Sequence, residues 1–414
     1  MTEIRKIKRS NTPLILMLFI LVVFGLIVLY SVSGPAGYGK DKDSFFYVRK
    51  QVQYTLIGMV VCFGLNFFPV KKFNNRMICL VAYGSSLALI ILTAIAGQSI
   101  NGAKRWIGVG SMTFQTSEYV KIGIILALAS YRALILRLRD KGKLKAPNPN
   151  LQSFTDAFFD FILPVGAALL IDVFILVQPH TSCFLIIGFV IFMCMLSSSV
   201  NLKSWFIGGL VILLVGVASF SIYTATHPDY MDNFQHVVQR INIFTSQHND
   251  DEEEAATAAA ALTEDDTRQV DNAHNALGSG GMWGMGLGNS RSKYSYVSEA
   301  QNDYIFSIYV EETGFVGGMI LILMYLAFFA MCVMVVIRTD SVFTRILAVG
   351  YTSLIMIQVL LNISVELQLI PATGVTLPFI SYGGTAQIFL LAAYGMILCV
   401  SRSGTEPAIR EKKK

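Results

Sequence analysis

Three carboxylates stand where a long apolar segment begins, in the stretch SEAQNDYIFSIYVEETG. On one continuous helix, Glu311 would lie about 80° around the axis from Asp303, and Glu312 would lie about 180° away. A single site can therefore hold all three only if the chain bends. A straight helix over residues 303–337 would be about 52 Å long, far more than a bilayer needs, and we expect a break near Gly314.

Asp303 is the candidate for acid–base chemistry among these carboxylates. It lies closest to the preceding loop, and its neighbours Gln301 and Asn302 are polar. Glu311 and Glu312 are interpreted instead as helix-end or packing residues that pair with local partners.

Two pairs of cations lie on the same side of the predicted membrane as Asp303. One pair precedes Trp106 in a short loop, and the other follows a glycine-rich stretch; the four residues are Lys104, Arg105, Arg291 and Lys293. Paired cations suit a di- or pyrophosphate because they donate charge-assisted hydrogen bonds. For the pair beside Trp106, ordinary anchoring at the membrane interface is an equally good explanation.

A further charged pair lies just inside a predicted span. Glu118 and Lys121 are three residues apart, so they share one helix face and can form an ion pair. Charges within a membrane cost about 2.5–3.5 kcal/mol each, which favours pairing and function. The pair is either purely structural or lines a polar cavity that opens outward.

A carboxylate above cationic, phosphate-suited positions is the arrangement that glycosyl transfer from a lipid pyrophosphate requires. The carboxylate takes the proton of the acceptor hydroxyl, and the cations stabilise the departing pyrophosphate. Sequence spacing alone does not show that these groups converge in space.

The elements that carry these residues are predicted to be membrane helices. The chain has 414 residues, of which 54% are hydrophobic and 14% charged, and its mean hydropathy is +0.58, which indicates an all-α integral membrane protein. About ten segments have the length needed to cross a bilayer. They are 13–34, 50–69, 77–97, 116–137, 157–177, 181–199, 204–224, 314–337, 344–364 and 381–401.

Basic residues alternate between the connecting segments, which predicts the orientation. The N-terminal tail, every second loop and the C-terminal tail are rich in Lys and Arg, so we expect both termini to be cytoplasmic. The net charge of +5 follows from this pattern, and we do not interpret it as nucleic-acid binding.

One connection is far longer than the rest and is predicted to lie outside the cytoplasm, over residues 225–302. Its acidic, alanine-rich insert at 249–268 lacks an apolar stripe, so we expect it to be disordered. The glycine-rich stretch that follows, NALGSGGMWGMGLGNS, is predicted to bend tightly or to allow a close approach of a ligand or partner. The chain is otherwise expected to form one domain over residues 1–414.

The six cysteines lie within or beside apolar segments and form no Cys-x-x-Cys pair. They are interpreted as small core residues, so the sequence predicts neither a disulfide framework nor a cysteine metal site.

Several motifs resemble the SEDS family of bacterial cell-wall polymerases, which comprises FtsW, RodA and SpoVE. The matching blocks are NGAKRWI and FQTSEYVK at 101–121, ALGSGGMWGMGLGNS with EAQNDYIF and EETGFVGG at 276–318, and PATGVTLPFISYGGTA at 371–386. The sequence GMGLGNS and the Glu-Ala pair before QNDYIF resemble FtsW more than RodA.

The resemblance implies a ten-helix enzyme of the cytoplasmic membrane that polymerises lipid II on its outer face, in cell division. It implies that Asp303 is the essential acid, and that a class B penicillin-binding protein and other division or elongation proteins are partners. No cofactor is certain, although a divalent cation, Mg or Mn, is possible. The expected substrate-binding residues are Lys104, Arg105, Trp106, Glu118, Lys121, Arg291, Lys293 and Glu299.

The chain departs from the family pattern at a few positions. Thr116 replaces the usual proline of FQPSE, and His180 stands where QPDLGTA has aspartate. His180 is interpreted as a helix-end residue. Glu366, in NISVELQLIP, is an acidic residue that the family pattern does not predict.

Two other functions are compatible with the sequence. A flippase would move the lipid-linked precursor across the membrane, with Glu118 and Lys121 lining its path. A division scaffold would recruit partners without catalysis. The clustering of unusual charges at one surface favours one-sided chemistry over transport.

Overall fold

The computed structural model describes residues 11–100, 103–109, 112–146, 148, 151–178, 180–226, 264–294 and 300–403. In its N-terminal part the helices are α1 (Thr12–Asp41), α2 (Phe46–Phe67), α3 (Arg76–Ala96), α4 (Thr116–Asp140), α5 (Gln152–Ala157), α6 (Leu163–Val177), α7 (Thr181–Leu196) and α8 (Leu202–Thr226). The C-terminal part contains α9 (Glu264–Ser279), α10 (Ile305–Ile337), α11 (Val342–Glu366) and α12 (Thr385–Ser403). A π-helical turn, Phe158–Ile162, joins α5 to α6.

Apolar length explains most of these helices. Eight helical segments within the described part of the chain are long and apolar enough to cross a membrane, and α7 is apolar but shorter. The predicted helical membrane fold is therefore confirmed, while the count of ten spans remains a prediction. The eighth predicted span lies within α10, which is helical from Ile305.

The core lies around α11 and α12. α11 packs against α4, α7, α10 and α12, and α12 also packs along α2. α8 lies at the edge, where it contacts α5 and the π-helical turn. Because successive helices alternate in direction, the start of α10 and the end of α11 lie at the same end of the bundle, which we call the Asp303 end.

A small sheet occupies the connection between α3 and α4 at the Asp303 end, where the sequence analysis predicted only a loop. Its strands are β1 (Gln98–Ile100), β2 (Ala103–Val109) and β3 (Met112–Gln115), in the antiparallel order β1-β2-β3. β3 runs directly into α4. The sheet thereby joins the cationic stretch of β2 to the helix that carries the Glu118–Lys121 pair.

α10 breaks at Gly314, as the sequence predicted. Gly314 has φ 72° and ψ −175°, a conformation that only glycine adopts readily. Residues 280–288, which we call the glycine loop, lie against this break. The peptide nitrogen of Phe315 donates to the carbonyl of Gly281 at 2.8 Å, and that of Gly286 donates to the carbonyl of Glu312 at 2.9 Å.

The long connection is only partly described. Residues 249–263 of the acidic insert lie outside the described residues, and residues 264–268 form the start of α9. The disorder predicted for the insert stays a prediction. α9 packs against α10 and leads directly into the glycine loop.

Candidate active site

Asp303 lies in the turn just before α10 and is half-buried. Its carbonyl oxygen accepts a hydrogen bond from Nδ2 of Asn362 in α11, at 2.8 Å. The same amide donates to the carbonyl oxygen of Val375 at 2.9 Å. One side chain of α11 therefore holds both the Asp303 turn and the following loop in place.

That loop, residues 367–384, is called the C-terminal loop, and it covers the Asp303 turn. Gly374 has φ 65°, and a Cβ built on it would lie 3.5 Å from Oδ2 of Asp303. The peptide nitrogen of Tyr382 donates to the carbonyl of Gln301 at 2.9 Å. The backbone of the C-terminal loop, more than 60 residues further along the chain, therefore forms one wall beside the Asp303 carboxylate.

Glu312 forms a buried ion pair with Lys293, whose Nζ lies 2.7 Å from Oε1 of the carboxylate. Nζ also donates to the carbonyl oxygens of Ser31, at 3.1 Å, and Gly288, at 2.7 Å. An ammonium group has three donors, and here all three are used. Lys293 therefore has no donor left for a substrate.

Glu311 also binds the segment after the glycine loop. Its Oε2 accepts from the hydroxyl of Ser290 at 2.5 Å, and its Oε1 accepts from the peptide nitrogen of Arg291 at 3.1 Å. Glu311 thus pairs with a nearby segment, as predicted, whereas Glu312 also accepts a hydrogen bond from the hydroxyl of Ser31 on α1. The side chain of Arg291 is exposed.

Glu118 and Lys121 form the predicted ion pair, with Nζ 2.7 Å from Oε1. Their side chains are 10% and 5% exposed. The thiol of Cys183, at the start of α7, lies within electrostatic range of both charges and interacts with the hydroxyl of Ser117. The buried pair is therefore part of a polar contact between α4 and α7.

The start of α7 also contacts the C-terminal loop. Ser182 donates a hydrogen bond from its hydroxyl to the carbonyl oxygen of Thr373, the residue before Gly374. Gly374 faces Asp303. α7 and the C-terminal loop thus connect the neighbourhood of the Glu118–Lys121 pair to that of Asp303.

Strand β2 brings a further cation to the Asp303 end. Nε of Arg105 donates to the carbonyl of Gln178, between α6 and α7, at 3.3 Å. Trp106 is half-buried and pairs in the sheet with Gln98 and Gln115. The side chain of Lys104 and the whole of Glu299 lie outside the described residues.

The tertiary structure adds residues that sequence reasoning did not assign to the site. Asn362, Gly374 and Glu366 all contact the Asp303 segment. The block PATGVTLPFISYGGTA matches a family motif, but its position in the sequence does not predict a contact with Asp303. Among the residues that the structure describes, no group of three or more His, Cys, Asp or Glu side chains is arranged to hold a metal ion.

Comparison with known proteins places this geometry in a family. Residues 11–406 match the FtsW/RodA/SpoVE family model, described as a cell cycle protein. The chain belongs to the FtsW/RodA/SpoVE family. Stage V sporulation protein E of Bacillus subtilis is 31% identical over 401 residues, covering 95% of this chain and 98% of the relative. A probable peptidoglycan glycosyltransferase FtsW of Geobacter sp. is 26% identical, and the match covers 96% of this chain and 98% of that relative.

Solved structures share the fold of this family member. A chain from a structure titled "Structural coordination of polymerization and crosslinking by a peptidoglycan synthase complex" has a TM-score of 0.65 at 23% identity, covering 95% of this chain and 98% of that one. Thermus thermophilus rod shape determining protein RodA has a TM-score of 0.60 at 22% identity, and the match covers 96% of this chain and 98% of the RodA chain. The chain is therefore a multi-pass membrane protein of the FtsW/RodA/SpoVE family.

Proposed function

We propose that this chain is a peptidoglycan glycosyltransferase that polymerises lipid II, with Asp303 as the general base. The observation that carries the proposal is the setting of Asp303: Asn362 holds its backbone carbonyl, and its half-buried carboxylate lies beside Gly374 of the C-terminal loop. Family membership supplies the reaction class. Curated relatives are named as probable peptidoglycan glycosyltransferases.

In the proposed reaction, the acceptor sugar hydroxyl attacks the anomeric carbon of the donor sugar. A new glycosidic C–O bond forms as the bond between that carbon and the pyrophosphate oxygen breaks. Asp303 takes the proton of the hydroxyl, and the undecaprenyl pyrophosphate leaves with the bonding electron pair. A half-buried carboxylate suits this role because it remains accessible to a bound hydroxyl.

The departing pyrophosphate needs cations to stabilise its negative charge. We assign this role to Arg105 and Lys121, together with Lys104. Arg105 lies beside the α6–α7 connection, and Lys121 lies beside the start of α7, which contacts the C-terminal loop. The exposed Arg291 is a further candidate at the rim, and Trp106, Glu118 and Glu299 are assigned to the same substrate site.

The proposal extends to location and partner. The chain would lie in the bacterial cytoplasmic membrane with both termini in the cytoplasm, and it would act during cell division. A class B penicillin-binding protein would crosslink the strands that it makes. A structural neighbour belongs to a complex that coordinates polymerization and crosslinking, which supports a partner of this kind.

The test is polymer formation from labelled lipid II by the purified full-length chain, with and without a cognate class B partner. Asp303→Asn is expected to abolish polymer while the protein remains folded. Asp140→Asn is the matched control, because it removes an exposed carboxylate at the opposite end of the bundle. We expect this control to polymerise as the wild type does.

Two results would overturn the proposal. Normal polymerisation by Asp303→Asn would remove Asp303 from the chemistry. No polymer from the wild type, although the partner binds, would contradict the enzyme function. Movement of lipid II across sealed vesicles without polymer would then identify a flippase.

A further inference from the structure

Glu366 is the last residue of α11, and its side chain is buried, 1% exposed, against the first turn of α10. Its Oε1 accepts the peptide N–H of Phe306 at 3.3 Å, and its Oε2 accepts that of Ser307 at 2.5 Å. These are the second and third residues of α10. The N–H groups in the first turn of a helix have no acceptor within the helix, so Glu366 satisfies two of them.

An acceptor for these groups normally comes from the residue that precedes the helix. Here that residue is Tyr304, which makes no capping hydrogen bond with its side chain. The acceptor comes instead from a side chain of a different helix, and both of its carboxyl oxygens are used. Glu366 therefore joins the end of α11 firmly to the start of α10.

Asn362 lies one helical turn before Glu366 on α11. Its amide donates to the carbonyl of Asp303 at 2.8 Å. Residues four apart share one face of a helix, so a single face of α11 holds the chain at Asp303 and again at Phe306 and Ser307. We call Asn362 and Glu366 the α11 clamp. The clamp encloses the short stretch whose first residue is Asp303.

We propose that Glu366 is a positioning residue, which fixes the start of α10 so that the Asp303 carboxylate is held in place for proton transfer. This inference rests on the proposed function of Asp303. The role is distinct from catalysis, because Glu366 acts through the backbone of residues 306–307. A misplaced catalytic group loses rate far more than it loses binding, so the effect should fall on kcat.

The test compares Glu366→Gln and Asn362→Leu with the wild type, as full-length chains with the cognate partner. Initial rates of polymer formation are measured against lipid II concentration, which separates kcat from KM. For Glu366→Gln we expect kcat to fall about tenfold, with KM within about twofold. Asn362→Leu should lower kcat in the same way, because it releases the Asp303 turn from α11.

The matched control is Asp172→Asn, which changes another buried carboxyl in a membrane helix and should leave both readouts unchanged. A structural role alone would reduce the folded fraction and leave kcat per folded molecule as in the wild type. That result for Glu366→Gln would overturn the inference. If Glu366→Gln does not fold, a normal kcat in folded Asn362→Leu would overturn the clamp.

Asp303→Asn, assayed in parallel, separates the two proposals. Polymer from Asp303→Asn would overturn the proposed function itself. Loss of polymer in Asp303→Asn together with wild-type behaviour of both clamp variants would overturn only the role of the clamp.

Discussion

Gly314 and Gly284 lie so close together that a Cβ built on Gly314 would fall 2.4 Å from the amide nitrogen of Gly284. Because the two segments are so close, peptide N–H groups of the glycine loop donate hydrogen bonds to α10 carbonyls at the break. Met285 donates to the carbonyl of Glu311 at 3.0 Å, across the same break. The loop is thus a structural part of α10, and the break positions the helix that follows Asp303.

Gly314→Ala is therefore expected to destabilise the protein by about 1–3 kcal/mol from its backbone conformation alone, and by more from the clash with Gly284. The measurement is the free energy of unfolding in mixed micelles, by titration with SDS. Gly209→Ala is the control, because that glycine is helical and a Cβ there meets no atom within 4 Å. Equal stabilities for the two variants would contradict the close approach.

Breaking the Lys293–Glu312 pair should be costly, because the pair is buried, with side-chain exposures of 3% and 1%. Lys293→Met leaves a carboxylate without its counter-charge, and we expect a loss of about 3–5 kcal/mol in the same unfolding measurement. Arg49→Met is the comparison. It breaks a pair with Asp43 in which the arginine side chain is 62% exposed, and it should cost less than about 1 kcal/mol. A similarly small loss for Lys293→Met would show that the buried pair is not structural.

The Glu118–Lys121 pair can be tested by exchanging its two charges. Lys121→Met alone should destabilise the protein by about 3–5 kcal/mol, since Glu118 is left buried and unpaired. The double variant Glu118→Lys with Lys121→Glu restores an ion pair on the same helix face, so it should recover most of this stability. Polymer formation should remain lost, because the proposal requires a cation at position 121. Recovery of activity in the double variant would make the pair purely structural.

Asp172 is a buried carboxyl in α6, and its exposed fraction is 0%. Both of its oxygens lack a hydrogen-bond partner among the residues that the structure describes. A Cβ built on Gly188 of α7 would lie 3.9 Å from Oδ2, so the carboxyl fits where its neighbour has no side chain. We expect Asp172→Leu to stabilise the protein by about 1–3 kcal/mol, because an unsatisfied polar group is removed.

The same unfolding titration checks this prediction, with polymer formation as a second readout that should stay within about twofold of the wild type. Leu170→Ala, at a side chain that is 49% exposed on the same helix, controls for a general effect of substitutions in α6. Destabilisation by Asp172→Leu would mean that the carboxyl has a partner that supports the fold.

Much of the fold followed from the sequence because apolar length is a property of consecutive residues. Helices at the predicted positions, the break at Gly314 and the Glu118–Lys121 pair all depend on neighbours within a few turns. The sheet between α3 and α4 was not predicted, because its strands are short and pair with one another only within the folded connection.

The candidate site was predicted only in part. Sequence alone identified Asp303 as the carboxylate nearest the loop and interpreted Glu311 and Glu312 as packing residues. It assigned Lys293 to a phosphate, because a cation beside a glycine-rich stretch looks the same whether it binds a ligand or a buried carboxylate. Burial and hydrogen-bond partners distinguish the two cases, and neither is visible in spacing.

The sequence by itself thus determined that the chain crosses a membrane as a bundle of helices, and which residues carry unusual charge. Only the tertiary structure decided which charges are paired and which segments meet at Asp303. The physical reason is that membrane insertion depends on local hydropathy, whereas contacts such as that of Glu366 with Ser307 join residues on separate helices. Those contacts are set by how the helices pack, and packing is a property of the whole bundle.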